Sequence, residues 1–155
     1  MEVIYPMENL NRQLLTNGFK FNDDLKIGTK KTLSEKIVQF GEGNFLRAFV
    51  DYMFDEINEQ GLFEGGITLI QPIPGGDFLR NVLNEQEGLY TLIARGREDG
   101  KEVAAKRLIT CVNRCINPYV DLDTYNTCAK NPELRFVVSN TTEAGISWKE
   151  EDMIT

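Results

Sequence analysis

There is no histidine among these 155 residues. Histidine is the side chain that most often moves protons near neutral pH. Any acid–base chemistry must fall to Lys, Tyr or carboxylates, or lie outside this chain. Basic residues are also in deficit: 17 Lys and Arg stand against 24 Asp and Glu, for a net charge of −7. So acidic a surface repels phosphate backbones and anionic bilayers, which argues against nucleic acid and membrane as partners. Long apolar runs are missing too. The most apolar stretch near the start, Val3-Ile4-Tyr5, is far too short for a signal peptide or a membrane span. The expected location is cytoplasmic.

Cysteine is scarce and odd in number: Cys111, Cys115 and Cys128. Without a secretory signal this is no disulfide framework. The Cys111-x-x-x-Cys115 spacing could begin a metal site. With no His and no second close Cys pair, four ligands cannot be assembled, so no metal is expected. The three residues read as reduced, partly buried thiols.

What is present is core material. Hydrophobic residues make up 41% of the chain, with nine Phe and five Tyr, enough for one globular domain. Residues 1–35 are polar and mixed and read as an N-terminal arm with one short helix. Ile37-Val38-Gln39-Phe40 is a strand signal ending at Gly41. Leu46, Phe49, Val50, Met53, Phe54 and Ile57 then recur at the spacing of one helix face. Asn44, Arg47, Asp51, Asp55 and Asn58 fall on the other face. Asn44 is the expected N-cap of this helix and Gly61 its stop. Gly66 to Ile70 reads as a second strand, closed by Pro72. Strand, Gly-rich turn, helix and strand make one βαβ unit.

Further on, Phe78 to Leu83 suggests a short helix. Leu89 to Ala94, the turn Asp99-Gly100, and Val103 to Val112 suggest an inserted β-hairpin. Asp121 can cap a helix through Lys130, with Leu122, Tyr125 and Ala129 inward, ended by Asn131-Pro132. Arg135 to Ser139 is another strand. Trp148 to Thr155 is acidic and reads as a cut edge rather than an element. The fold class expected is α/β: a Rossmann-like, doubly wound, mostly parallel sheet with an inserted hairpin, incomplete within residues 36–155.

The chemistry-bearing segment is Gly41-Glu42-Gly43-Asn44-Phe45-Leu46-Arg47. Gly41 can make a tight turn, and Gly43, lacking Cβ, lets a pyrophosphate approach the backbone. The helix behind offers free N–H groups and a positive dipole end. Arg47 could reach a phosphate or a substrate carboxylate. The third Gly of the G-x-G-x-x-G pattern is replaced by Leu46, and two glycines alone often mark an ordinary turn. The acidic residue expected after the second strand is replaced by Gln71. Gln71 could bond a ribose hydroxyl but would not repel a 2′-phosphate, which leaves NAD against NADP open. Asn140-Thr141-Thr142-Glu143 follows a strand, where α/β sheets bind ligands. It reads equally as a plain polar loop with Thr142 capping a turn.

In order along the chain, several blocks resemble the mannitol dehydrogenase-type long-chain polyol dehydrogenases. They are Leu10-Asn11-Arg12, Gln39 to Asp51, Gly88-Leu89-Tyr90-Thr91, Val112-Asn113-Arg114, Arg135-Phe136-Val137 and Ser139 to Ile146. The most similar branch is the one that reduces tagaturonate. The resemblance implies an NAD(H)-linked oxidoreductase that interconverts tagaturonate, a keto-uronate, with the aldonate altronate. It implies cofactor contacts from Gly41, Gly43, Asn44 and Phe45, and from Asn140, Thr141, Thr142 and Glu143. Family members are much longer, and their catalytic Lys with Asn and His helpers lies in a C-terminal helical domain. No catalytic residue is therefore assigned in this chain, and by itself it is expected to be inactive. The sugar-acid substrate belongs to the full-length enzyme. The alternative is a stand-alone nucleotide-binding or regulatory module without catalysis. An incomplete sheet also leaves an unpaired edge, so self-association is expected.

Overall fold

The computed structural model describes residues 9–141. Two sheets share one core. The larger has four parallel strands: β2 (Glu35–Phe40), β3 (Gly66–Ile70), β6 (Val112–Ile116) and β7 (Phe136–Ser139), in the order β6-β3-β2-β7. Numbered by their succession in this sheet, that order is 3-2-1-4. It matches the first four positions of the doubly wound 3-2-1-4-5-6 arrangement. The expected Rossmann-like parallel sheet is therefore present.

The connections lie on opposite faces. Helix α1 (Asn44–Glu59) joins β2 to β3, and α2 (Asp77–Glu85) follows β3. Ile37, Ile67, Leu69 and Leu83 pack there with Phe54 and Leu79. Helix α3 (Leu122–Ala129) joins β6 to β7 on the other face, over Val38, Ile70 and Ile116. Each large aliphatic side chain buried in this way stabilises the fold by roughly 1.5–3 kcal/mol.

The hairpin forms a sheet of its own. β4 (Tyr90–Glu98) and β5 (Lys101–Ile109) pair antiparallel through a turn in which Asp99 and Gly100 both have positive φ, the twist tight hairpins prefer. β1 (Leu25–Ile27) lies parallel to β5. The arm thus contributes a strand as well as its short helix, the 3-10 turn Arg12–Leu15.

Three expectations need correction. Val103 to Val112 is not one strand: β5 stops at Ile109, and β6 starts at Val112 in the other sheet. The break occurs because Asp55 of α1 accepts hydrogen bonds from the backbone N–H groups of both Thr110 and Cys111. Leu122 and Ala129 do not point inward. The inner stripe of α3 is Tyr125 and Cys128, and Leu122 stays exposed. Asn44 is not the N-cap. Gly43 is, without any side-chain cap, and Asn44 is the first helical residue.

The largest difference concerns α1. Part of its polar face is buried beside Leu46 and Phe54: Asp51 and Asp55 are fully buried and Asn58 nearly so, whereas Asn44 is exposed. Phe45 and Phe49, stacked on each other, are instead 61% and 51% exposed. Directional partners explain the inversion. Asp55 takes Arg107 Nε at 2.7 Å, Thr110 N at 2.7 Å and Cys111 N at 3.1 Å. Asn58 exchanges two hydrogen bonds with the backbone of Gly65. A buried polar group costs little once its partners are in place. The helix ends at Gly61 as expected, with Leu62 N bonded to Ile57 O and Gly61 N to Asn58 O.

The outer edge of β6 is occupied by side chains. Arg12 donates to the carbonyls of Thr110 and Val112, and the Asn84 amide pairs with both N and O of Cys115. β7, at the other end of the sheet, pairs only with β2 among the described residues. No helix among the described residues is long and apolar enough to cross a membrane.

Candidate functional site

Register places the carboxyl ends of the four parallel strands side by side. Ser139 pairs with Phe40, Phe40 with Ile70, and Ile70 with Ile116. The next residues, Asn140, Gly41, Gln71 and Asn117, form a row along the rim of the sheet. Strand order reverses between β2 and β7, whose neighbouring helices lie on opposite faces. A doubly wound sheet opens its ligand crevice at this switch point.

Gly41 and Gly43 sit at the crevice. Gly41 has φ +119°, a conformation that L side chains rarely adopt, and a Cβ there would come within 3.0 Å of Leu46 Cδ1. Leu46, in place of the third glycine, closes the turn from beneath and is itself buried. Gly43 is extended, at φ −68° and ψ 166°, and a Cβ there would meet nothing within 4 Å. The open space at Gly43 lies in front of the first turn of α1. The first backbone bond of the helix runs from Arg47 N to Gly43 O, and no side chain caps the turn. The N–H groups of Asn44, Phe45 and Leu46 therefore lack helical partners, the arrangement that receives anions.

Arg47 is folded back onto the turn. Its Nε donates to Glu42 O at 2.8 Å and its Nη2 to Asn44 Oδ1 at 2.6 Å, while its guanidinium lies 5.2 Å from the centre of the Tyr90 ring. Gln71 is also turned inward. It is fully buried, and its Nε2 donates to the carbonyls of Ile73 and Gly75. Its amide nitrogen thus shapes the loop after β3, while its Oε1 accepts no hydrogen bond and the residue lines the cavity beside the turn. Asn140 and Thr141 are exposed at the end of β7, beside the turn. Thr142 and Glu143 lie outside the described residues, as does the segment Trp148–Thr155. The structure thus brings Gly41, Gly43, Asn44, Phe45 and Arg47 together, with Asn140 and Thr141 across the switch point.

Next to the turn is a cavity of about 360 Å³ on the α3 side. Phe40, Ile70, Pro72, Tyr119, Leu122 and Tyr125 line it. A flat aromatic ring fits such walls. Sequence reading missed this cavity because its residues come from four separate segments.

Two buried supports were missed as well. Gln39, next to last in β2, donates to Gly41 O at 3.2 Å. Tyr90, the first residue of β4, places its hydroxyl 2.8 Å from Asp51 Oδ2 and 2.9 Å from Arg47 O. Burial pushes the Asp51 carboxyl up to about 6, while hydrogen bonds from Tyr90 and Gln39 and the Arg47 charge pull it down. Burial, with the Asp51 charge beside it, raises the Tyr90 phenol far above its ordinary range. The signal for Gln39 was a lone amide inside an apolar strand. For Asp51 it was a polar stripe as regular as the apolar one beside it.

The three thiols are free and buried. Burial pushes Cys115 up to about 12 and Cys111 well above the ordinary thiol value. Neither forms a reactive thiolate near neutral pH.

Residues 35–153 match the family described as the mannitol dehydrogenase Rossmann domain. The chain belongs to this family. Among curated relatives, an altronate oxidoreductase of Yersinia enterocolitica is 51% identical over 122 residues, which are 78% of this chain and 25% of that protein. The altronate oxidoreductase of Bacillus subtilis is 44% identical over 120 residues, 77% of this chain and 25% of its own length. The chain thus spans about a quarter of the length of the curated relatives it matches. Among solved structures, a ternary complex of Pseudomonas fluorescens mannitol 2-dehydrogenase with NAD and D-mannitol superposes with a TM-score of 0.74 at 24% identity. That likeness covers 88% of this chain and 27% of the other. A substrate-free D-sorbitol dehydrogenase gives 0.73 at 20% identity, covering 88% of this chain and 28% of its own. These two likenesses establish the shared fold.

Proposed function

We propose that this chain is the cofactor-binding part of an NAD(H)-dependent dehydrogenase that interconverts tagaturonate and altronate. Residues 36–155 carry the partial nucleotide domain and residues 1–35 its arm. The observation that carries the reading is the uncapped N-terminus of α1 behind Gly41 and Gly43, at the switch point of a 3-2-1-4 sheet. The altronate oxidoreductases, at 51% and 44% identity, favour the sugar-acid branch.

The residues present fit a dinucleotide. The free N–H groups of Asn44 to Leu46 would hold a pyrophosphate, which the missing Cβ of Gly43 lets approach. Phe45 flanks this path, and the Arg47 guanidinium lies beside it. The Phe40–Tyr125 cavity would take the adenine ring. Asn140 and Thr141, with Thr142 and Glu143 after them, would line the other side of the crevice. NAD supplies hydride transfer; the protein supplies binding and orientation. Gln71 leaves no carboxylate at the end of β3, so the preference for NAD over NADP rests on the relatives rather than on charge. The sugar acid would meet catalytic groups supplied by the complete enzyme.

Fluorescence titration of the chain with NADH tests the reading. Saturation below the millimolar range is expected, and no saturation at millimolar NADH would defeat it. Mixing chain, NADH and tagaturonate should give little or no NADH oxidation. Rapid turnover would show that the chain carries catalytic groups of its own.

A further inference from the structure

The Gly-rich turn is held from behind by a buried cluster that a ligand would not touch. The Tyr90 hydroxyl faces two oxygens, Asp51 Oδ2 and Arg47 O. A phenol carries one proton, and both partners are pure acceptors while Asp51 is ionised. One proton must then be shared between the two contacts, and at most one of them is a full-strength hydrogen bond. A proton on Asp51 removes the conflict: the carboxyl O–H donates to the Tyr90 oxygen, and Tyr90 donates to Arg47 O. Asp51 Oδ1 is buried without a hydrogen bond of good geometry, and although the nearby Gln39 amide favours the charged form, burial outweighs it. The ring of Tyr90 meanwhile supports the Arg47 guanidinium, which grips Glu42 and Asn44. A continuous path therefore runs from the hairpin sheet into the turn.

We propose that Tyr90 and Asp51 are positioning residues that hold the Gly41–Asn44 turn through Arg47, and that loss of the Asp51 proton slackens this support. The proposal rests on the reading of the turn as the cofactor site. The titratable groups facing Asp51 are Arg47 and Asp55 on its own helix, Tyr90 on β4, and Cys111 just before β6. Asp55 is committed to Arg107, Thr110 and Cys111, and burial keeps the Cys111 thiol protonated. Arg47 and Tyr90 are left to respond.

The test compares the chain with Tyr90→Phe, which keeps the ring but loses the hydroxyl, and with Asp51→Asn, which keeps a neutral donor. Hydrogen exchange of the Arg47–Asp51 amides and of Arg47 Nε–H is followed by NMR, corrected for intrinsic rates. NADH affinity is measured on the same samples. Tyr90→Phe should speed exchange there about three- to tenfold, the scale of one hydrogen bond, and leave Gly66–Ile70 unchanged. In the wild type this segment should loosen as pH rises through about 6. Asp51→Asn should abolish that step. NADH affinity should fall several-fold in Tyr90→Phe, fall in the wild type between pH 5 and about 7.5, and stay flat in Asp51→Asn. Unchanged protection in Tyr90→Phe, equal loosening of Gly66–Ile70, or a pH step surviving in Asp51→Asn would each overturn the proposal. The expected exchange pattern without NADH saturation would support the positioning role and refute the cofactor reading.

Discussion

Arg107 donates from Nε to Asp55 Oδ2 at 2.7 Å, and neither side chain is more than 4% exposed. The pair joins β5 to α1, and Glu59 takes a second Arg107 nitrogen at 2.7 Å. Removing Asp55 would leave the buried Arg107 charge without its only fully buried partner, held by Glu59 at the partly exposed end of the guanidinium. Asp55→Ala would also strip the N–H groups of Thr110 and Cys111, where the chain passes between sheets. The expected loss is about 3–5 kcal/mol, read as a fall in the urea midpoint. A loss under about 1 kcal/mol would mean that water or Glu59 replaces Asp55.

Asp51 predicts a pH effect of definite sign. Burial raises its carboxyl from 3.8 to about 6, so between these values the folded chain holds a proton that the unfolded chain has released. Its contribution to stability is complete below about 4 and lost as pH climbs through about 6. Asp51→Asn removes the titration. The variant should gain up to roughly 2–3 kcal/mol over the wild type at pH 7.5, and the gap should close toward pH 4. Thermal melts of both proteins across this range measure the gap. A difference independent of pH would contradict the assignment.

The two turn glycines should separate stability from binding. Gly41→Ala forces a side chain into positive φ and against Leu46, at a cost of about 1–3 kcal/mol. Gly43→Ala meets open space and should change stability by less than about 1 kcal/mol. The same methyl intrudes on the path of a pyrophosphate, so NADH affinity should fall at least tenfold. Equal NADH affinity in Gly43→Ala and wild type would remove Gly43 from the site.

Among the described residues the two edges of the parallel sheet differ, and self-association should follow the difference. Arg12 and Asn84 occupy the edge of β6, whereas β7 carries Val137 at 64% exposure. An uncovered, apolar edge strand invites pairing with another chain. Sedimentation velocity should show concentration-dependent growth in mass that Val137→Lys reduces. A monomer at every concentration would speak against edge pairing.

Of the parallel strands, β2, β3 and β7 were legible, as was the hairpin, because their residues are β-branched or aromatic and their turns carry Gly or Asp-Gly; β6 was not, its first residue being read as the end of β5. The length of α1 was legible from its periodicity and from Gly61. Its orientation was not. Asp51, Asp55 and Asn58 look like a solvated face until Tyr90 and Arg107, tens of residues away, and Gly65, beyond the end of the helix, supply their partners. β1 escaped notice because three residues are too few to establish an alternation and depend on β5 for pairing. Within the site, Gly41 and Gly43 were readable from local spacing. The inward turn of Gln71 and the Tyr90 support were not, since both depend on contacts made only after folding.

A helix seated on apolar contacts alone can roll or slide while keeping most of its attraction. Helix α1 sits on Asp51, Asp55 and Asn58, whose bonds have direction. A shift by one residue would rotate it about 100° and break all of them together. The helix is keyed like a shaft in a slot, with a single permitted angle. The direction in which its N-terminal N–H groups aim is therefore set at its middle and far end, by residues that never meet a ligand.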